Sequence, residues 1–113
     1  MQQIKELLDT SKRCNVWLRI DKHYLNVYVR ITERCLNGIM HRTLDVATVE
    51  VDRRHQCQGH FTNFLTEIEK LAEEYRRVVY VESICRDFLF DFLDRRGYKV
   101  MTPDTRSLAK SFK

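Results

Sequence analysis

The chain has 113 residues, of which 43% are hydrophobic and 32% are charged, and its formal net charge is +4. This length and apolar content suit one compact domain over residues 1–113 and exclude a disordered chain. No apolar run approaches the ~20 residues of a membrane-spanning helix, and acidic residues near the N-terminus replace the apolar run of a signal peptide. We therefore expect a cytoplasmic protein, and the basic excess favours an anionic partner.

The first quarter of the chain predicts one helix and two strands. Apolar residues three and four positions apart predict a short helix over about residues 2–10. Alternation of apolar and polar residues predicts strands at Val16–Ile20 and, more strictly, at Tyr24–Thr32. One face of the second strand is apolar throughout, which is typical of a half-buried antiparallel strand. On its polar face, Tyr24, Tyr28 and Arg30 could line a substrate groove or a dimer surface.

A hairpin signal precedes the next strand and helix. Asn37 and Gly38 are a turn-forming pair, and Leu44–Val51 after them is predicted as a strand. An amphipathic helix is predicted over Gly59–Arg76, because its apolar residues recur at helical spacing. These apolar residues are Phe61, Phe64, Leu65, Ile68, Leu71, Ala72 and Tyr75.

The last third of the chain predicts a strand, a helix and a short strand. Val78–Ile84 is almost continuously apolar and β-branched, which indicates a central strand covered on both faces. A second helix follows, and Gly97 is suited to end it. Tyr98–Met101 is predicted as a final strand, stopped by Pro103. The apolar residues of the second helix are Phe88, Leu89, Phe92 and Leu93.

The predicted order α-β-β-β-α-β-α-β defines an α/β fold with a mixed sheet. Antiparallel N-terminal strands precede a β-α-β crossover, which should be right-handed with its two strands parallel. A cofactor would bind at the strand ends where these two parallel strands separate. The basic tail Thr105–Lys113 has no predicted element, and Leu108 and Phe112 could anchor it.

The segment Val51–Phe61, V-D-R-R-H-Q-C-Q-G-H-F, carries the strongest functional signal. A strand, a basic turn with one glycine and then a helix together present backbone N–H groups to a phosphate. The start of a helix has unsatisfied donors and the positive end of its dipole, and glycine lets the backbone approach a ligand closely. A simple tight connection at Gly59 is the alternative interpretation.

Within this segment, Gln56-x-x-Gly59-x-Phe61 matches the first two fixed positions of the signature [RQ]-x-x-G-x-[GA] and misses the third. Residues 44–101 resemble, element by element, the GCN5-related N-acetyltransferase (GNAT) family that carries this signature. Phe92–Tyr98, F-L-D-R-R-G-Y, is similar to the closing run of that family. The resemblance implies an acyl-CoA N-acyltransferase-like fold, acetyl-CoA as cofactor and transfer of an acetyl group to an amine.

The resemblance also implies a set of cofactor-binding residues. The strand backbone at Val49 and Val51 would pair with the pantetheine arm and polarise the acetyl carbonyl. Arg53, Arg54 and His55 could pair with phosphates, although a solvated basic turn is the alternative. Backbone N–H groups would hold the pyrophosphate, and they belong to Gln56, Cys57, Gln58, Gly59, His60 and Phe61.

Asp45 and Glu82 are the candidate catalytic bases, with Glu50 as a rival. The resemblance places a general-base carboxylate at the position of Asp45. Period-2 alternation predicts that Asp45 shares a face with Ala47, Val49 and Val51. Apolar surroundings there would raise the pKa of Asp45 and suit it to accept a proton from an amine. Glu82 interrupts an apolar strand in the same way. The alternative for Asp45 is a frayed strand end in contact with water.

Two departures from the family pattern keep other functions open. The tyrosine that the family often uses as general acid falls on Leu93, and the N-terminal third is short. The second hypothesis is therefore a GNAT-like binding or adaptor module without activity. The third, nucleic-acid binding through a basic surface, is disfavoured because no known motif is present and 16 acids are mixed among 20 bases. A homodimer could form through the exposed strands Val16–Ile20 or Tyr98–Met101, and a partner protein is also compatible.

The four cysteines are expected to be free thiols. There is no C-x-x-C pair, and without a secretory signal disulfides are disfavoured. Cys57 and His60 have zinc-like spacing, but no second pair accompanies them, so we predict no metal site. The acceptor amine, the preferred acyl chain and the oligomeric state stay open.

Overall fold

The computed structural model describes residues 2–10, 13–20, 25–51, 59–82, 87–102 and 107–112. Within these ranges the chain forms three helices and six strands. None of the described helices combines the length and apolar character that crossing a membrane requires. The elements are α1 (Gln2–Asp9), β1 (Cys14–Ile20), β2 (Leu25–Leu36), β3 (Ile39–Val51), α2 (His60–Glu74), β4 (Val78–Val81), α3 (Asp87–Arg95), β5 (Lys99–Thr102) and β6 (Ser107–Lys110).

The described strands form one mixed sheet in the order β1-β2-β3-β4-β6-β5. β3 and β4 are parallel, with Thr43–Val46 opposite Val78–Val81, and the other neighbouring strands are antiparallel. Because α2 connects the two parallel strands, the predicted β-α-β unit is confirmed. β1 and β5 are the edge strands of this sheet. They correspond to the two strands that were predicted to be exposed, Val16–Ile20 and Tyr98–Met101.

The hairpin between β2 and β3 is longer than predicted. Asn37 and Gly38 have φ angles of 52° and 81°, and positive φ at both positions is what a two-residue hairpin turn needs. Since the turn is so tight, pairing starts at once with Leu36 opposite Ile39. β3 therefore begins at Ile39 rather than at the predicted Leu44, and β2 continues to Leu36.

Alternation along the strands separates two faces of the sheet. The main core lies on one face, where buried residues of all three described helices, such as Ile4, Phe64 and Leu93, pack with Val27 and Val79. A second cluster lies on the opposite face and contains strand residues alone: Leu36, Val78, Tyr80 and Ala109. No described helix contributes to this second cluster, so we call the side that carries it the open face.

A β-bulge interrupts the pairing of β2 with β3. Val29 lies opposite Val46, whereas Tyr28 lies opposite Thr48, so Ala47 is the extra residue. An inserted residue reverses the inward and outward alternation of every residue that follows it.

The bulge overturns one sequence-based prediction. Val49 packs against the main core on the helix side, together with Val46, whereas Asp45 pairs with Arg30 on the open face. The prediction that Asp45 shares a face with Val49 and Val51 was therefore wrong, because strict period-2 alternation does not continue through an extra residue.

β6 is the element that the sequence patterns did not predict. It lies between β4 and β5 and is antiparallel to both, so the tail is part of the sheet. Its four residues, S-L-A-K, show no clear strand pattern, yet Leu108 is fully buried and Phe112 packs against the main core. The anchoring role of these two side chains is confirmed.

A partly buried ionic network joins α2 to the residues that follow α3. Arg96 Nη2 donates to Glu69 Oε1 at 2.7 Å and to Thr66 Oγ1 at 2.9 Å, and the Tyr98 hydroxyl donates to Glu69 Oε2 at 2.8 Å. Burial raises the pKa of Glu69, but the hydrogen bonds from Arg96 and Tyr98, with the positive charges of Arg96 and Lys110, outweigh this and leave the pKa below its ordinary value.

This network predicts acid-sensitive stability. Because the pKa of Glu69 is lower in the folded state, its contribution is fully present above its unfolded-state pKa of about 4.3 and is lost as pH falls through the folded-state value. Glu69→Gln should lower the free energy of unfolding at neutral pH by about 1–3 kcal/mol, with a smaller loss in acid. Urea unfolding of both proteins, measured at neutral and at acid pH, gives this difference.

Glu67→Gln is the control, because Glu67 is exposed on the same helix; it should change the free energy of unfolding by less than about 0.5 kcal/mol. A Glu69→Gln effect that does not change with pH would contradict a charge-based contribution.

Candidate functional site

β3 and β4 separate at a defined point. Their parallel pairing ends with Val46 opposite Val81, and the Glu82 N–H donates to the Val46 carbonyl at 3.1 Å. Beyond this point β3 continues to Val51, and among the described residues it pairs there with β2 alone. The other backbone edge of residues 47–51, which includes Val49 and Val51, therefore has the geometry to receive an extended ligand as an added strand.

The start of α2 lies at the same end of the sheet, because the helix follows the carboxyl end of β3. Gly59 is its N-cap residue, with φ 82° and ψ 5°, and the Gly59 carbonyl accepts a hydrogen bond from the Asn63 N–H at 2.9 Å. The first turn contains no acidic residue, and a Cβ added to Gly59 would meet no described atom within 4 Å. The N-terminal donors of α2 are thus free of nearby first-turn carboxylates.

The predicted pyrophosphate loop lies only partly within the described residues. Arg53, Arg54, His55, Gln56, Cys57 and Gln58 lie outside them, whereas Gly59, His60 and Phe61 form the start of α2. Phe61 packs against the main core, with its ring centre 6.3 Å from that of Phe64. A large side chain at this signature position therefore packs against the core.

Asp45 and Glu82 both lie on the open face, and Arg34 bridges them. Arg34 Nε donates to Asp45 Oδ2 at 2.6 Å, and Arg34 Nη2 donates to Glu82 Oε1. Arg30 Nη1 donates to the same Glu82 oxygen at 2.7 Å. The Arg34 guanidinium also lies over the Tyr80 ring, 4.5 Å from its centre. Two arginines of β2 thus hold the predicted catalytic carboxylates in one cluster.

Sequence reasoning did not single out Arg34. The available signal was the alternation of β2 itself, which places Arg34 four residues after Arg30 and therefore on the same face. That signal required β2 to extend to Leu36, and the predicted strand stopped at Thr32.

Asp45 is buried in the middle of β3, so the alternative of a frayed, hydrated strand end is wrong. Its side chain is 0% exposed. Burial raises the pKa of Asp45, and this exceeds the opposite effects of the Thr43 hydroxyl and the Arg34 guanidinium. Burial lowers the pKa of Arg34, but the negative charges of Asp45 and Glu82 have a larger, opposite effect, so the pKa of Arg34 lies above its ordinary value. The predicted direction for Asp45 is confirmed.

Glu82 differs from Asp45 in its access to solvent. The Glu82 side chain keeps 18% of its surface exposed, and it follows directly on the last paired residue of β4. Both arginines donate to Oε1, and neither donates to Oε2. An amine could therefore approach Glu82 at the point where the strands separate, whereas Asp45 has no surface for such a contact.

Leu93 occupies the position at which the resemblance places a tyrosine. It is fully buried in the main core. An aliphatic side chain in that place donates no proton.

Other features of the described residues lie apart from this cluster. Cys14 and Cys35 are free thiols, and no group of three metal-ligating side chains occurs among the described residues. A cavity of about 330 Å³ lies at the opposite end of β4 from the strand separation. It is lined by Leu36, Asn37, Ile39, His41, Val78, Gly97, Lys99, Ala109, Lys110 and Ser111.

No protein-family model and no curated protein matches this sequence. Solved structures similar to it include the following two. One is described as a KacTA–DNA complex, with a TM-score of 0.57 and 13% identity over 81% of this chain and 70% of that one. The other is an acetyltransferase from Bacillus cereus, with a TM-score of 0.52 and 13% identity over 96% of this chain and 86% of that one. At this identity the similarity establishes the fold: a mixed α/β fold similar to that of a bacterial acetyltransferase.

Proposed function

We propose that this protein is an N-acetyltransferase that transfers the acetyl group of acetyl-CoA to an amine. The observation that carries the proposal is the separation of β3 from β4 after Val46 and Val81, at the end of the sheet where α2 begins after its N-cap residue Gly59. The similarity of the fold to a bacterial acetyltransferase supports it.

Acetyl-CoA would bind between β3 and β4. The backbone of Val49 and Val51 would pair with the amide-containing pantetheine arm as an added strand does. The N-terminus of α2 would hold the pyrophosphate through backbone N–H groups and the helix dipole. The preceding loop, with Arg54, Gln56, Cys57 and Gln58, would complete this part of the site.

Glu82 would be the base that accepts the proton of the attacking amine. It lies at the strand separation, it is partly exposed, and Arg30 and Arg34 fix one of its oxygens and leave Oε2 to the amine. Asp45 would serve as a positioning residue, because its bond to Arg34 fixes the guanidinium that in turn fixes Glu82. A positioned base of this kind contributes about 100- to 10,000-fold to rate.

The reaction would be a direct transfer. The amine nitrogen would form a bond with the thioester carbonyl carbon, its proton would pass to Glu82, and the carbon–sulfur bond would break. Backbone N–H groups of β3 would stabilise the negative charge that develops on the carbonyl oxygen. Since Leu93 donates no proton, the departing thiolate would be protonated by solvent.

Calorimetric titration tests the cofactor site. We expect acetyl-CoA and free coenzyme A to bind with micromolar affinity, and ATP, which lacks the pantetheine arm, to bind much more weakly. A panel of amines then tests transfer, by the release of free thiol. Absence of binding by both coenzyme A forms would contradict the proposal, and binding without transfer to any amine would support the adaptor hypothesis instead.

A further inference from the structure

An exposed aromatic pair lies on the open face. Trp17 of β1 is the register partner of Tyr28 of β2, and their ring centres are 5.0 Å apart at an interplanar angle of 43°. Trp17 is 50% exposed, although indole is among the most favourable side chains to bury. Because no described helix contributes to the cluster on this face, the indole presents an apolar surface to solvent. We call Trp17 and Tyr28 the aromatic platform.

The aromatic platform is connected to the proposed base. Arg30 lies two residues after Tyr28 on the same strand face, and its guanidinium carbon is 5.5 Å from the centre of the Tyr28 ring. Its Nη1 atom is 2.7 Å from Glu82 Oε1. The Tyr28 ring centre and the Glu82 carboxylate are therefore separated by no more than about 10 Å, allowing for one C–N bond of the guanidinium.

We propose that the aromatic platform binds a planar ring of the acceptor, so that the preferred acceptor is an amine carried on a short chain from an aromatic ring. This inference rests on the proposed function, since it names the substrate class of the same site. A ring on the platform and an amine in hydrogen-bond contact with Glu82 require a connecting chain of roughly two to four bonds over the available span. Aromatic rings pack favourably in tilted or offset arrangements, and the exposed indole offers such a surface.

The charges of the open face favour this ligand over a nucleic acid. Arg30 and Arg34, the arginines that connect the platform to the base, already donate to the carboxylates of Glu82 and Asp45. Among the described arginines beside the rings, this leaves the exposed Arg19, two residues after Trp17 on the same strand face, for a phosphate. A single-stranded nucleic acid needs cations that remain available to its phosphates beside the stacking rings. A ligand with one ring and one amine has no such requirement.

Binding can be measured without any acetyl transfer, because Trp17 is the only tryptophan in the chain. The fluorescence of Trp17 should change on titration with 2-phenylethylamine. The control ligand is 2-cyclohexylethylamine, which has the same chain but no aromatic ring, and the same change should require about tenfold higher concentrations of it. Tyr28→Ala should remove this preference. Ile39→Ser, a change at an exposed site at the turn of the β2–β3 hairpin, should keep it.

Kinetics then separate this inference from the proposed function. Trp17→Ala should raise KM for 2-phenylethylamine about tenfold, with little change in kcat, and raise KM for 2-cyclohexylethylamine by a clearly smaller factor, because that ring loses only apolar contact. Acetylation of both amines with equal KM would overturn the platform and leave the acetyltransferase in place. Ring-selective fluorescence without acetylation would support the platform and overturn the enzyme. If the emission of Trp17 depends on protein concentration when no amine is present, a second copy of this protein covers the platform, and the inference is overturned.

Discussion

Gly59→Asp is expected to weaken coenzyme A binding by about 100-fold or more, whereas Gly59→Asn should weaken it by about tenfold or less. Both side chains tolerate the left-handed backbone of Gly59, and both are accepted at helix N-caps. They have nearly the same size, so the difference between them reports the negative charge placed at the start of α2. That charge would repel the pyrophosphate that we propose binds there.

Gly38 provides a matched control. It has φ +81°, against +82° for Gly59, and an added Cβ would meet no described atom within 4 Å at either position. Gly38→Asp should therefore carry the same backbone strain and the same added charge, yet leave coenzyme A binding unaltered. Equal binding by the Asp and Asn variants of Gly59 would contradict a phosphate site at this helix, and thermal unfolding would confirm that all variants fold.

Glu82→Gln is expected to lower kcat by at least about 100-fold and to leave the affinity for acetyl-CoA unaltered. The amide keeps the size of the side chain and can accept hydrogen bonds from Arg30 and Arg34, but it cannot take a proton from the amine. Single-turnover kinetics together with calorimetric titration separate the chemical step from cofactor binding.

Asp45→Asn distinguishes the positioning role from the role of base. We expect it to lower kcat less than Glu82→Gln does, to leave cofactor binding intact and to destabilise the fold, because Arg34 loses the charge of a buried partner. Glu50→Gln, at an exposed site on the same strand, should change neither quantity. A larger loss of kcat from Asp45→Asn than from Glu82→Gln would contradict these assignments and make Asp45 the base and Glu82 the positioning residue.

The open face shows how far local sequence patterns extend. Alternation along Leu25–Ile31 predicted which side chains of β2 are buried, because each strand residue points to the face opposite that of its neighbours. The same rule failed after Ala47, since the extra residue arises from the register between two strands and leaves no mark in the composition of either one. For this reason Val49 and Asp45 were predicted to lie on the same face of the sheet, whereas they lie on opposite faces.

The order of elements and their periodicity are properties of the sequence by itself. They determined the helix and strand succession as far as β5, the hairpin at Asn37 and Gly38 and the parallel crossover around α2, because local spacing and turn chemistry carry this information. Tertiary structure decided the rest. β6 is a strand only because β4 and β5 offer it two edges, and Arg34 reaches Asp45 and Glu82 only because β2 and β3 pair along their whole length. Contacts between residues 11 to 48 positions apart depend on strand register, which no single segment of the chain encodes.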